Sequence, residues 1–220
     1  MGCRLPAITL RVKRAAVLLT LVVVAAGCGS SPSAPSRVAQ TVGSTRPTAC
    51  PAKALAGWQK LARRIHAPVY CPTWLPDPLD GVIGSRWNNI DAVDRDRSYL
   101  ESWVWQETGP GAAGGELHVN LRGYPGRTRI PSCVNADSMA RNLIPCFSDA
   151  RGTVHANGIA ATVYTVNQDA DQWHVLYAWR YAGSLYTVSE HVAPPFGYRK
   201  VRRTLDRILG NLVLVQPTTA

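Results

Sequence analysis

Residues 173–192 read WHVLYAWRYAGSLYTVSEHV, two runs rich in aromatic and β-branched residues on either side of a short glycine-containing turn. That composition favours strands, and a turn as short as YAGSLY joins neighbours, so Trp173–Tyr181 and Leu185–Val192 are read as an antiparallel hairpin. Strand side chains alternate between faces. Trp173, Tyr177, Trp179 and Tyr181 therefore share one face, and His174, Leu176, Ala178 and Arg180 share the other.

Working outward, further strand candidates are Val82–Trp87, Ser98–Gln106, Glu116–Arg122 and Ile159–Val166, separated by glycines and Asn/Asp clusters. GELHVNLRG sends Leu117, Val119 and Leu121 one way and Glu116, His118, Asn120 and Arg122 the other. Trp103 and Trp105 share a face of their strand in the same manner. The aromatic face is the bulkier one and is expected to be buried. If it were open, Trp103, Trp105, Trp173, Tyr177, Trp179 and Tyr181 would make a stacking platform for sugars or apolar ligands.

Helices flank this run. KALAGWQKLARRIH (Lys53–His66) sets Leu55, Trp58, Ala62 and Ile65 on one face with basic residues opposite, and Pro68 follows. YRKVRRTLDRILGNLVLV carries an apolar seam of Tyr198, Val201, Leu205, Ile208 and Leu212. Between the first helix and the strands, PVYCPTWLPDPL is broken by prolines, which marks an edge strand passing into turns. Helix, consecutive strands and helix predict an α+β fold: a twisted antiparallel sheet of about six strands, with an N-terminal and a C-terminal amphipathic helix packed on it. Strands without crossover helices argue against a parallel nucleotide-binding sheet.

The N-terminus is of another kind. Residues 1–27 hold Arg4, Arg11, Lys13 and Arg14, no acidic residue, and the apolar run Ala15–Ala26. As a helix that run rises only about 18 Å against a bilayer core of about 30 Å, so it reads as a cleaved secretory signal. AAGC followed by GSS (Ala25–Ser31) resembles the lipobox of bacterial lipoproteins. The resemblance implies a diacylglyceryl group on Cys28, cleavage just before it, and a lipid anchor on the extracytoplasmic face of the cell membrane. Residues 28–48 are rich in Ser, Pro, Thr, Ala and Gly without an aromatic residue, a lipidated flexible tether. Residues 49–220 are left as a single globular domain. Arginine in preference to lysine, with much Ala, Gly and Pro, hints at a GC-rich genome such as an actinobacterium.

Residues 1–27 contain four of the 24 Lys and Arg and none of the 14 acidic residues, so the mature chain carries +6 rather than +10. With Cys3 removed and Cys28 lipidated, Cys50, Cys71, Cys133 and Cys146 remain. Four thiols in an exported chain predict two disulfides in one of three pairings. Cys50–Cys71 and Cys133–Cys146 are favoured because each closes a short local loop. The proline segment near the domain start and WRYAGSLYTVSEHV near its end are together similar to extracytoplasmic domains of uncharacterised bacterial lipoproteins and membrane-bound regulators. That likeness implies the fold and carries no catalytic residue.

Chemistry is sparse. No serine elbow is present; Ser85 and Ser184 follow glycines in turns. His66, His118, His155, His174 and His191 include no pair at HxH or HExxH spacing, so no metal is expected. Glu190 and His191 project to opposite faces of a strand, whereas Glu116 and His118 share one. Asp91, Asp94 and Asp96 near Asn88 and Asn89 lack calcium-loop spacing, and Arg95 and Arg97 interleave with them. Arg199, Lys200, Arg202, Arg203 and Arg207 line the polar side of the last helix, as a solvated face or a contact with an anionic envelope surface. Export and the absence of a binding motif exclude nucleic acid.

The expectation is a non-enzymatic envelope lipoprotein without cofactor, a binding or scaffolding module for an envelope lipid, glycan or protein. A carrier or chaperone for lipids or lipoproteins would need an apolar cavity. A hydrolase of cell-wall material would need two of Glu101, Glu107, Glu116 and Glu190 flanking one cleft.

Overall fold

The structure, a computed structural model, describes residues 49–79, 93–112, 114–134, 142–167 and 173–218. In chain order the elements are α1 (Ala52–Ile65), β1 (Val69–Pro72), β2 (Tyr99–Gln106), β3 (Glu116–Tyr124), β4 (Ser132–Val134), β5 (Leu143–Pro145), β6 (Ala150–Ala156), β7 (Ile159–Asn167), β8 (Trp173–Tyr181), β9 (Ser184–His191), α2 (Tyr198–Gly210) and β10 (Leu212–Val215). The broad α+β expectation holds, with one six-stranded antiparallel sheet ordered β2-β3-β9-β8-β7-β6 and two helices. The expected strand Val82–Trp87 lies outside the described residues.

The β8–β9 hairpin closes through Ala182 and Gly183, both at positive φ, the backbone of a two-residue turn that follows strand twist. Asn157 and Gly158 do the same between β6 and β7. That Asn-Gly pair marks β6, a strand absent from the sequence expectations because its mostly exposed residues carry no clear apolar alternation. The last helix ends at Gly210 with Asn211 as its cap, and Leu212, expected in the helical seam, belongs instead to β10, which pairs antiparallel with β1. The proline-bounded β1 is thus an edge strand of a two-stranded ladder, stapled to the start of α1 by Cys50–Cys71.

One face of the large sheet meets α1, α2 and the β1–β10 ladder. Trp58 of α1 packs on Trp103 of β2, ring centres 6.3 Å apart. Tyr70 of β1 stands edge-on to Trp179 and Tyr186, and the Tyr186 hydroxyl donates to the Pro68 carbonyl at 2.8 Å. Val201, Leu205, Ile208 and Leu209 of α2 complete this core. Full burial of each such side chain contributes roughly 1.5–3 kcal/mol, which is why the bulky alternation decides which face is covered. The opposite face is partly covered too. Phe147, Leu176, Ala178 and Leu185 form a second cluster, with Ile130 and Cys146 of the segment between β3 and β6 packed on it. The Cys133–Cys146 disulfide ties the two short strands of that segment.

Candidate functional site

The alternation of β3 that buries Leu117, Val119 and Leu121 turns Glu116, His118 and Asn120 to the face opposite the helices. Strand β9 lies beside β3 in the register Val119↔Glu190, which brings His191 next to His118. Strand β8 adds His174 directly across from His191. Three histidines far apart in the chain therefore meet on one face: His174 stacks on His191 at 5.0 Å between ring centres, and His118 stands edge-on to His174 at 5.5 Å.

Glu116 anchors the group. Its Oε1 lies 3.2 Å from His191 Nδ1 and 3.5 Å from His118 Nδ1. His118 Nε2 in turn lies 3.0 Å from Asn120 Oδ1 and 3.2 Å from Ser102 Oγ of β2. Burial, opposed by Asn120 and Glu116, holds the His118 imidazole below its ordinary range and so favours its neutral form. The side chains of Glu116, His118 and His191 are 24%, 23% and 12% exposed, enough to be reached from solvent.

A second feature sits on the helix side. Glu190 is fully buried, and among the described residues neither carboxylate oxygen has a hydrogen-bond partner. Burial pushes its carboxyl up to about 8, against the pull of Lys200. It lines a cleft of about 320 Å³ between α2 and the segment after β1. Leu117, Phe196 and Trp74 supply apolar wall, and Lys200, Arg203 and Arg207 of α2 supply positive charge, with Asp77 also present. The Arg207 guanidinium stacks 3.9 Å over the Trp74 ring, a cation–π contact that holds both at the cleft.

Both favoured disulfides are formed. Trp103, Tyr177 and Trp179 are core and cannot be a platform; Trp105 is half-buried, while Trp173 and Tyr181 are exposed at opposite ends of β8. The Tyr177 hydroxyl donates to Asp206 at 2.6 Å and accepts from Arg202 at 2.7 Å, which accounts for two polar residues of α2.

Of the four glutamates, only Glu190 lines this cleft. Glu101 and Glu190 are buried on the helix side, Glu116 points to the other face, and Glu107 accepts from the Gly115 amide in the β2–β3 connection. His66 and His155 are exposed and lie outside the histidine cluster. Asp94 and Asp96 accept hydrogen bonds from Ser98, and Asp96 pairs with Arg127 at 3.0 Å, a polar turn. Ser184 accepts from the Gly126 amide in its turn. Cys28, Ser85, Asn88, Asn89 and Asp91 lie outside the described residues.

Linear spacing missed the histidine cluster because its members come from three strands and meet only through the β3–β9–β8 order. Shared-face alternation at Glu116 and His118 was the one legible signal. Among the described residues no helix is long and apolar enough to cross a membrane. No protein-family model, no curated protein and no solved structure matches this chain.

Proposed function

We propose that this chain is a non-enzymatic binding module of the cell envelope, held at the extracytoplasmic face of the membrane by a lipidated Cys28 and the tether that follows it. Its ligand is an anionic amphiphile seated in the cleft under α2. The observation that carries the reading is Glu190, a buried carboxyl without a hydrogen-bond partner among the described residues, lining a cleft rimmed by three cationic side chains. Leaving such a group unsatisfied costs about 1–3 kcal/mol, and folds keep that cost where a ligand can relieve it.

The chemistry follows from the lining. A phosphate or carboxylate head takes charge-assisted hydrogen bonds from Lys200 and Arg203, and the apolar part lies against Trp74, Leu117 and Phe196. Glu190 in its protonated form donates to a head-group oxygen. About 320 Å³ is at the small end of ligand pockets. It suits a head group with the first carbons of a chain rather than a whole lipid, which favours recognition over carriage of lipids or lipoproteins. Two disulfides are in keeping with an exported protein.

The anchor and the ligand have separate tests. Cys28→Ala moves the protein from the membrane fraction to the soluble or uncleaved pool; unchanged processing and fractionation refute lipidation. Mass spectrometry of small molecules that co-purify with the chain finds an anionic amphiphile, depleted in Arg203→Glu. Equal recovery from both proteins counts against the cleft.

A second reading has one observation in its favour. Asp77 lines the same cleft as Glu190, and two carboxyl groups of unlike environment are the acid–base pair of glycoside hydrolysis. Multiple turnover of cell-wall glycan, abolished in both Glu190→Gln and Asp77→Asn, would establish that reading and end the non-enzymatic one.

A further inference from the structure

On the sheet face opposite the cleft, the structure assigns a second binding site: we propose that Glu116, His118 and His191 hold one divalent transition-metal ion of the zinc class. This inference uses none of the residues of the cleft, so either reading can fail without the other.

The geometry is that of a ligand set. One ligand atom from each of the three residues lies within 4.8 Å of the other two. A tetrahedral ion with bonds of about 2.0–2.1 Å sets its ligand atoms about 3.3–3.4 Å apart. The separations from Glu116 Oε1 to His191 Nδ1 and His118 Nδ1, 3.2 and 3.5 Å, bracket that edge.

The hydrogen bonding on the far side of His118 selects the atom that ligates. Asn120 Oδ1 can only accept, so the 3.0 Å contact places a proton on His118 Nε2. That leaves Nδ1 as the ring nitrogen turned to the Glu116 oxygen, 3.5 Å away. An acceptor on the remote ring nitrogen is how ligating histidines are held. His174, stacked on His191, fixes the plane of the third ligand.

Two imidazoles and one carboxylate define the metal. Calcium and magnesium take oxygen sets, whereas imidazole suits zinc, copper, nickel and iron. Three protein ligands leave a coordination position open, and the partial exposure of all three side chains gives a path to it.

The test uses the full chain, purified without a histidine tag and stripped with EDTA, then titrated calorimetrically with Zn²⁺. Wild type takes up one equivalent with a saturable isotherm. His118→Ala and His191→Ala each weaken binding by at least about 100-fold, Asn120→Ala by about 10-fold, and the exposed His155→Ala leaves it unchanged. Loading wild type with Co²⁺ gives the intense visible absorption of a tetrahedral ion, a readout that stands if a variant fails to fold. The absence of one-equivalent uptake by wild type, or uptake unaltered in both histidine variants, overturns the site and leaves the cluster a hydrogen-bonded structural group.

Discussion

Glu190 and His191 are neighbours in the chain and stand on opposite faces of the same sheet: the Glu190 carboxyl is closed in beneath α2, and the His191 ring meets Glu116 on the far side. Strand geometry alone imposes this division, since successive side chains alternate. One strand end thereby serves two chemically unlike environments, an enclosed acid near cations and a half-open imidazole cluster.

The enclosed acid makes stability depend on pH. In the fold Glu190 titrates at about 8, against an ordinary 4.5, so between those values the folded chain holds a proton the unfolded chain has lost. The stability this contributes is complete below about pH 4.5 and is lost as pH rises through about 8, at about 1.4 kcal/mol per pH unit. The charged groups that share the Glu190 cleft are Lys200, Arg203 and Arg207 from α2 and Asp77 from the segment after β1; Lys200 opposes the rise. Denaturant titrations from pH 5 to pH 9 in EDTA should show wild type weakening with pH. Glu190→Gln should be flatter and the more stable protein above pH 8. Parallel curves would mean that the carboxyl is not enclosed.

Gly123 tests the packing that places β3. It pairs with Tyr99, whose ring lies across it, and a Cβ at Gly123 would come within 2.2 Å of the ring. Tyr99 is only 3% exposed and has no room to retreat. Gly123→Ala should destabilise the fold by about 1–3 kcal/mol by overpacking. Adding Tyr99→Ala should cost less than the sum of the two single changes. Strict additivity in a double-mutant cycle would show that the ring lies elsewhere.

The Cys133–Cys146 disulfide should protect one sheet face. It closes the segment whose Ile130 and Cys146 pack on Phe147, Leu176 and Leu185. Replacing both cysteines by serine should remove roughly 3 kcal/mol in the loop-entropy model. It should also raise amide exchange at Leu176, Ala178 and Leu185. Unchanged exchange there would mean that the segment does not cover them.

What the sequence revealed depended on whether the signal was local. Alternation in Glu116–Arg122, the short turn after Tyr181 and the spacing of the cysteines are local, and each led to the observed strand, hairpin or disulfide. Leu212 misled because an apolar residue after an amphipathic helix continues the seam in one dimension; only Asn211 and the pairing with β1 break it. β6 hid because an exposed edge strand carries little hydrophobic pattern. The histidine cluster needed the pairing of β3 with β9, which joins His118 to a residue more than seventy positions away and leaves no trace in spacing. The Glu190 cleft was half legible: alternation turned Glu190 from His191, but which face α2 would close is a tertiary fact.

A calorimetric titration of the purified chain with a soluble alkyl phosphate reads whether the cleft under α2 binds an anionic head group. One saturable site is expected, weakened at least about tenfold, or about 1.4 kcal/mol, in Lys200→Glu and Arg203→Glu and unaffected by His118→Ala. No saturable binding, or equal affinity in wild type and both charge-reversed proteins, would contradict it.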